Sequence, residues 1–347
     1  MSCYHPLTAI VLGIKENGKK DLKILSGDPL LSFEINPGLS NYFIPVGDGR
    51  FKNIGDVIYL PCGHCIGCRL DRSRQWADRC MLELEYHESS YFVTLTYNDE
   101  HVPISSYCSD LETGEASKSF SLRKRHFQLF MKRLRKRFSN DKIRFFACGE
   151  YGETTLRPHY HAIIFGLRLD DLVPFSNSNR GYQYYTSASF EKCWTEDDSS
   201  IGFCLLGEVT WETCAYTARY IMKKLNGAQA VYYDLVNIEP EFTLMSRRPG
   251  IARQYYDEHK DDIYEHEYIN ISTEGGGRKI MPPKYYDKLF DIDYPDEMAE
   301  IKAIRQRMAK ENQAAKLKAT TLYSDELRRV EEHNKKAAIK SLRRDLV

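Results

Sequence analysis

Two histidines flank a tyrosine in Arg157-Pro158-His159-Tyr160-His161, ahead of the apolar run Ala162-Ile163-Ile164-Phe165. A β-strand sends alternate side chains to opposite faces, so His159 and His161 point the same way. Two imidazoles so placed can share one divalent cation; the plainer alternative is two half-exposed rings on a sheet. Tyr216 and Tyr220 are four apart and share a helix face. Lys224 continues that face, and Lys223 lies close to it. Alone, the tyrosines read as core rings; beside a metal they read as chemistry. A tyrosine hydroxyl is a nucleophile toward phosphorus, but a sluggish one at its ordinary pKa of about 10. A metal can polarise the phosphate and stabilise transition-state charge, and a nearby lysine can stabilise phenolate or phosphate. Together these groups make a covalent phosphoryl-transfer kit for a nucleic-acid backbone.

A second cluster lies in Pro61-Cys62-Gly63-His64-Cys65-Ile66-Gly67-Cys68, where two C-x-x-C spacings overlap. Cys62, Cys65 and Cys68 form a tight knuckle suited to a structural Zn²⁺, which takes four ligands. Cys3 is the preferred fourth, with His5 and His64 as alternatives. The cysteines at 80, 108, 148, 193, 204 and 214 read as buried small hydrophobes.

These groups need elements to position them. Helical spacing runs over 69–88, and Tyr91–Tyr97 reads as a strand, followed by a loop through Ser105–Ser119. Ser121–Phe138 is an amphipathic helix with Ser121 as its N-cap. Its polar face includes Arg123, Lys124, Lys132, Arg133 and Lys136, with no acidic residue, and is a candidate for DNA phosphates. Strands are expected at Lys142–Cys148, His159–Gly166 and Ile201–Val209. Helices are expected at Ser187–Trp194 and Glu212–Leu225. The order implies an α+β sandwich with a mainly antiparallel sheet. Residues before 90 look irregular, and Asp296–Val347 reads as an extended helical or partly disordered tail. Four segments follow: 1–90 with the cysteine knuckle, 91–227 with the histidines and tyrosines, 228–290 as an accessory segment, and 291–347 as the charged tail.

Lys and Arg number 49, as do Asp and Glu, so a globally basic nucleic-acid binder is excluded and local patches must serve. A hydrophobic share of 42% excludes disorder of the whole chain. No apolar stretch suits a membrane span, and no signal peptide is read at the start, so a cytosolic location is expected. Ten cysteines there favour metal ligation over disulfides.

His159-Tyr160-His161 resembles the His-hydrophobic-His motif of HUH endonucleases. Tyr216-Thr217-Ala218-Arg219-Tyr220-Ile221-Met222-Lys223-Lys224 is similar to the Tyr-x-x-x-Tyr-x-x-Lys motif of their two-tyrosine replication initiators, and Phe92–Tyr97 to their first motif. The cysteine cluster, Met245-Ser246-Arg247-Arg248-Pro249-Gly250 and Pro282-Pro283-Lys284-Tyr285-Tyr286 resemble the initiators of gokushovirus-type microviruses, small single-stranded DNA phages. The likeness covers nearly the whole chain and is weakest after Asp291. It implies an HUH/relaxase-like fold and rolling-circle initiation in the host bacterial cytoplasm. One tyrosine would cut the single-stranded phage origin, leaving a 5′-phosphotyrosine and a 3′-OH that primes host polymerase. The other would complete strand transfer and ligation. Tyr220, nearer Lys223 and Lys224, is expected to attack first. The family's metal is Mg²⁺ or Mn²⁺, with Mn²⁺ better suited to imidazoles, and a third ligand is expected from Glu150 in preference to Glu153. The chain has no Walker A pattern, so unwinding falls to a host helicase. The competing readings are a non-catalytic zinc-containing DNA-binding or packaging protein, and another HUH enzyme such as a plasmid relaxase or transposase.

Overall fold

A computed structural model describes residues 3–16, 20–24, 41–45, 51–110, 112–177, 181–219, 224–225, 227–273 and 276–340. The chain forms two compact units, Met1–Arg69 with Ala309–Leu342, and Leu70–Met308. The four linear segments read from the sequence mark where motifs lie; the compact units are two.

The first unit is not irregular, as the sequence suggested. Strands β1 (Leu7–Ile14), β2 (Lys20–Ile24), β3 (Asn41–Pro45) and β4 (Phe51–Leu60) form an antiparallel sheet in the order β2-β1-β4-β3. Its central pairing sets Ala9 against Ile58, a long-range match that no local pattern reveals.

Helix α1 (Ile66–Leu84) leads into the second unit, which continues with β5 (Ser90–Leu95). The expected loop at Ser105–Ser119 is instead a hairpin, β6 (Ile104–Cys108) with β7 (Ala116–Phe120). Helix α2 (Lys124–Arg137) is followed by β8 (Arg144–Tyr151), β9 (Pro158–Phe165), β10 (Leu172–Asn177) and β11 (Gln183–Ser187). Then come α3 (Ala188–Glu191), the small ladder β12 (Thr195–Glu196) and β13 (Ser199–Ser200), β14 (Cys204–Gly207) and α4 (Trp211–Arg219). Helix α5 (Val231–Leu235), β15 (Phe242–Met245), α6 (Arg253–His266), hairpin β16 (Ile269–Thr273) with β17 (Gly276–Ile280), and α7 (Lys284–Asp293) follow. The charged tail is helical, as α8 (Pro295–Lys318) and α9 (Ser324–Lys340).

The α+β class with a large antiparallel sheet, expected from the sequence, is the observed fold. Seven strands run in the order β10-β11-β14-β5-β9-β8-β15, every neighbouring pair antiparallel. Alternation divides β9 between two cores. Tyr160, Ala162 and Ile164 pack with Phe127, Phe130, Met131 and Leu134 of α2. Ile163 and Phe165 face the other way, with Ala77 and Leu82 of α1 and Cys214 and Ala218 of α4. His159 and His161 share that second face by period. Large rings such as Tyr160, Phe127 and Trp194 are fully buried, each worth about 3–5 kcal/mol against truncation to Ala.

Two local expectations change. Ser121 is not the N-cap of α2: Arg123 holds that position with no side-chain cap, and the buried Ser121 hydroxyl accepts from Glu239 N–H and donates to Leu122 O. The helix expected through Leu225 does not reach it. Lys224 lies in a bend, and Leu225 N–H donates to the Tyr233 hydroxyl at 2.7 Å.

Candidate active site

Strand β8 runs beyond Cys148, where the sequence ended it, and carries Glu150 on the strand itself. Register pairs Glu150 with His159 and Cys148 with His161 across β8 and β9. Glu150 Oε1 lies 2.6 Å from His159 Nε2 and 3.3 Å from His161 Nε2. Donor atoms of all three residues lie within 4.8 Å of one another. Glu150 and His161 are 2% and 1% exposed, while His159 is half-buried and faces the opening. Glu153, the second carboxylate considered, lies in the exposed turn after β8 and is not in this cluster.

Each imidazole is oriented from behind. His159 Nδ1 faces the Arg157 carbonyl at 3.1 Å, and His161 Nδ1 faces Thr94 Oγ1 at 3.0 Å. A carbonyl only accepts, so His159 Nδ1 carries a proton, and Nε2 is the nitrogen left to present a lone pair to a cation. Burial pushes the Glu150 carboxyl up, but hydrogen bonds from His159 and His161 outweigh it and hold it well below the usual carboxylate range. Two imidazole nitrogens and a carboxylate oxygen, converging in a buried spot with the rings oriented from outside, fit a divalent cation. Thr94 was not singled out from the sequence, although its strand was; alternation along β5 places it on the histidine face, beside Phe92.

Tyr216 stands over this group on α4. The helix starts at a reciprocal cap: Thr213 N–H donates to Thr210 Oγ1 at 3.2 Å, and Thr210 N–H donates to Thr213 Oγ1 at 2.9 Å. Trp211 Nε1 donates to Asp78 Oδ1 on α1 at 2.9 Å, anchoring the first turn. Thr213, Cys214, Thr217 and Ala218 are buried, which turns the half-buried Tyr216 toward β9. Its ring meets His161 edge-on at 5.1 Å and Phe92 edge-on at 6.0 Å, while Phe92 stacks on His161 at 5.7 Å. Three rings thus fix the tyrosine against the ligand set. Tyr220 and Lys223 lie outside the described residues. Lys224 is exposed beyond α4.

The predicted DNA-binding residues lie elsewhere. Helix α2 covers the sheet face opposite the histidines. Its N-terminus is tied to the histidine end of the sheet: Leu122 N–H donates to Tyr151 Oη and Arg123 N–H to Tyr160 Oη. Arg123 makes a 3.6 Å contact to Glu239, and Lys124 lies over the Phe242 ring. Lys132 and Lys136 are exposed and Arg133 half-buried in later turns, away from that end.

In the first unit, Cys3, Cys62, Cys65 and Cys68 place their sulfurs within 4.8 Å of one another. Cys65 Sγ is 3.9 Å from Cys3 Sγ, and Cys62 Sγ is 4.0 Å from Cys68 Sγ. Four thiolates about 2.3 Å from one zinc would be about 3.8 Å apart at tetrahedral angles, so the donor set fits. Sulfur also accepts backbone N–H from Tyr4, Cys62 and Cys65. Gly63, at φ +81°, makes the turn between the first two ligands of the knuckle. Burial pushes the Cys65 thiol up, yet the N–H groups of Cys68 and Tyr4 bring it down to about 7. His5 instead pairs with Glu332 at 2.7 Å.

Comparison with known proteins points one way. Residues 90–225 match the family model of replication-associated proteins of the ORF2 type. The chain is 34% identical over 316 residues to the replication-associated protein ORF2 of Spiroplasma virus 4, covering 89% of this chain and 87% of that one. It is 28% identical over 284 residues to the replication-associated protein VP4 of Bdellovibrio phage phiMH2K, covering 75% and 81%. It is 29% identical over 171 residues to the replication-associated protein ORF4 of Chlamydia phage 1, covering 48% and 38%. No solved structure matches. Among the described residues, no helix is long and apolar enough to cross a membrane.

Proposed function

The chain belongs to the family of microvirus replication-associated proteins, and on that premise we propose that it starts rolling-circle replication by nicking single-stranded DNA at the phage origin. The observation that carries this reading is Tyr216 set edge-on to His161, beside the convergent Glu150, His159 and His161. Tyr216 is the first nucleophile, in place of the Tyr220 expected from its lysine neighbours. Its phenol oxygen bonds to the scissile phosphorus as its proton passes to solvent. The bond from phosphorus to the 3′ oxygen breaks, and that oxygen takes a proton to become the priming 3′-OH. The 5′ phosphate stays on Tyr216. Glu150, His159 and His161 would hold Mg²⁺ or Mn²⁺, which supplies charge stabilisation at the phosphate oxygens. Phe92 and His161 hold the Tyr216 ring so that little orientation is lost on attack. Tyr220 is proposed for the second cut and the strand transfer that follows, with Lys223 and Lys224 offsetting phosphate charge.

Zn²⁺ is proposed for Cys3, Cys62, Cys65 and Cys68, as a structural ion supported by the sulfur spacing. Arg123, Lys124, Lys132, Arg133 and Lys136 are proposed as contacts to DNA away from the cut. Host helicase and polymerase complete the cycle in the host bacterial cytoplasm. The test is incubation with single-stranded origin DNA and Mn²⁺, read on a denaturing gel. Wild type should give a covalent protein–DNA adduct, and His161→Ala should bind the same DNA without forming one. Binding without an adduct in wild type would leave a DNA-binding protein with no nuclease activity.

A further inference from the structure

An exposed pair of aromatic rings lies on the same sheet face and at the same end as the metal ligands. Phe175 is 58% exposed and Phe203 38%, with ring centroids 5.2 Å apart. Exposed phenylalanines lose contact with apolar neighbours and gain nothing from water, so a touching pair on a surface asks for a partner.

Register locates them. His161 on β9 opposes Thr94 on β5, and Thr94 opposes Leu205 on β14, so these three form one row across the sheet. His159 is two residues from His161, and Phe203 is two residues from Leu205 toward the same end. Leu205 packs into the core on the histidine face, whereas Cys204 and Leu206 pack into the opposite one. Phe203 therefore shares the face of His159, two strands away, roughly 10 Å across the sheet. Phe175 reaches it from β10, at the register shift between Pro174 and Ser176.

The platform is held rigidly from below. Phe203 O accepts from Thr96 N–H at 3.0 Å and from Thr96 Oγ1 at 3.3 Å. Asn98 N–H donates to Ile201 O at 3.0 Å. Between these bonds sits Gly202, where an added Cβ would lie 1.8 Å from Thr96 O, so only glycine lets the chain lie this close to β5. A ring fixed this way gives up little entropy when a planar partner settles on it.

We infer that Phe203 and Phe175 form a stacking platform for an unpaired base of the bound DNA strand, within about three nucleotides of the phosphate at Tyr216. The inference rests on the DNA-cleavage reading above. The span of roughly 10 Å equals about three nucleotides at a rise of 3.4 Å, and fewer in an extended strand. Any base offers a π-face, so the platform grips the strand without reading its sequence.

The test measures binding to single-stranded origin DNA by fluorescence anisotropy, in the absence of divalent metal, with the full chain. Oligonucleotides carry a single abasic site stepped through three positions on each side of the cut. For wild type, one abasic position should weaken binding by about 5- to 150-fold, the equivalent of one base stacked on an aromatic ring. Phe203→Ala should weaken intact DNA by a similar factor and become insensitive to that same abasic position. Phe203→Leu keeps apolar bulk, and should keep the melting temperature while losing most of the affinity. Wild-type affinity in both Phe203 variants, or an abasic penalty unchanged by them, overturns the inference while leaving the nuclease reading intact. Altered self-association of the variants with unchanged DNA affinity would assign the patch to protein docking and likewise overturn it. Absence of single-strand binding by wild type would sink this inference and the proposed function together.

Discussion

At the scale of single residues, metal binding turns on what aims the histidines. Thr94 Oγ1 lies 3.0 Å from His161 Nδ1 with both groups buried, so the hydroxyl sets which nitrogen of His161 faces Glu150. Thr94→Val keeps the shape and removes the hydroxyl. Mn²⁺ affinity, followed by titration calorimetry, should fall about 10- to 100-fold with the fold intact. Unchanged affinity would show that Phe92 stacking alone orients the ring. The histidine pair was legible in the sequence because strand alternation is strictly periodic. Glu150 was legible only as a neighbour, because Gly149 and Gly152 made the strand seem to end early. Phe175 and Phe203 were not legible at all: residues far apart in the chain meet only because β10, β11 and β14 lie side by side.

Among elements, α1 carries a tie that the sequence did not announce. Glu83 bonds Arg144 on β8, Ala252 N–H ahead of α6, and His87. Its side chain is 5% exposed. Burial pushes the Glu83 carboxyl up, but its bonds to His87, Ala252 N–H and Arg144 outweigh this and leave it below the usual range. A depressed carboxylate adds stability above the unfolded value of about 4.3, and that stability is lost as pH falls through the lower folded value. Glu83→Gln should cost about 3 kcal/mol near neutral pH. The gap in melting temperature between wild type and variant should close below about pH 4; a gap that persists in acid would mean that lost packing is the cause. Helix α2 makes a different prediction. Its later basic residues cannot reach the scissile phosphate from the opposite sheet face. Changing Lys132, Arg133 and Lys136 to Ala should leave cleavage of a short oligonucleotide unchanged. Binding of a long strand should weaken, its salt slope shallower by about 0.7 per lost contact. Equal loss on both substrates would contradict that placement. The helix itself was plain from its apolar spacing. The hairpin β6–β7 and edge strand β15 were not, since short strands closed by distant partners carry little local pattern.

For the whole molecule, a zero net charge places the burden on local sites, and the two candidate metal centres lie in different compact units. The sulfur cluster ties Cys3 to a knuckle some 60 residues later in the chain, a closure that is costly without a metal. Elemental analysis should find about one zinc per chain. Chelation should speed hydrogen exchange at Tyr4 and Cys65, whose amides donate to sulfur. A metal-free preparation in which these amides stay protected would rule out a structural zinc. The knuckle was legible from its spacing alone. The sheet beside it was missed because β1 and β4 pair across more than 40 intervening positions of turn-rich sequence, beyond the reach of any short window.

The central claim is that a tyrosine of the α4 segment takes the DNA phosphate over the histidine pair. Peptide mapping by tandem mass spectrometry, after incubation with origin DNA and Mn²⁺ and nuclease trimming, locates the phosphorus. A nucleotide remnant is expected on Tyr216 in wild type and none anywhere in His161→Ala. A remnant on a residue other than Tyr216 or Tyr220, or an undiminished one in His161→Ala, would contradict the claim.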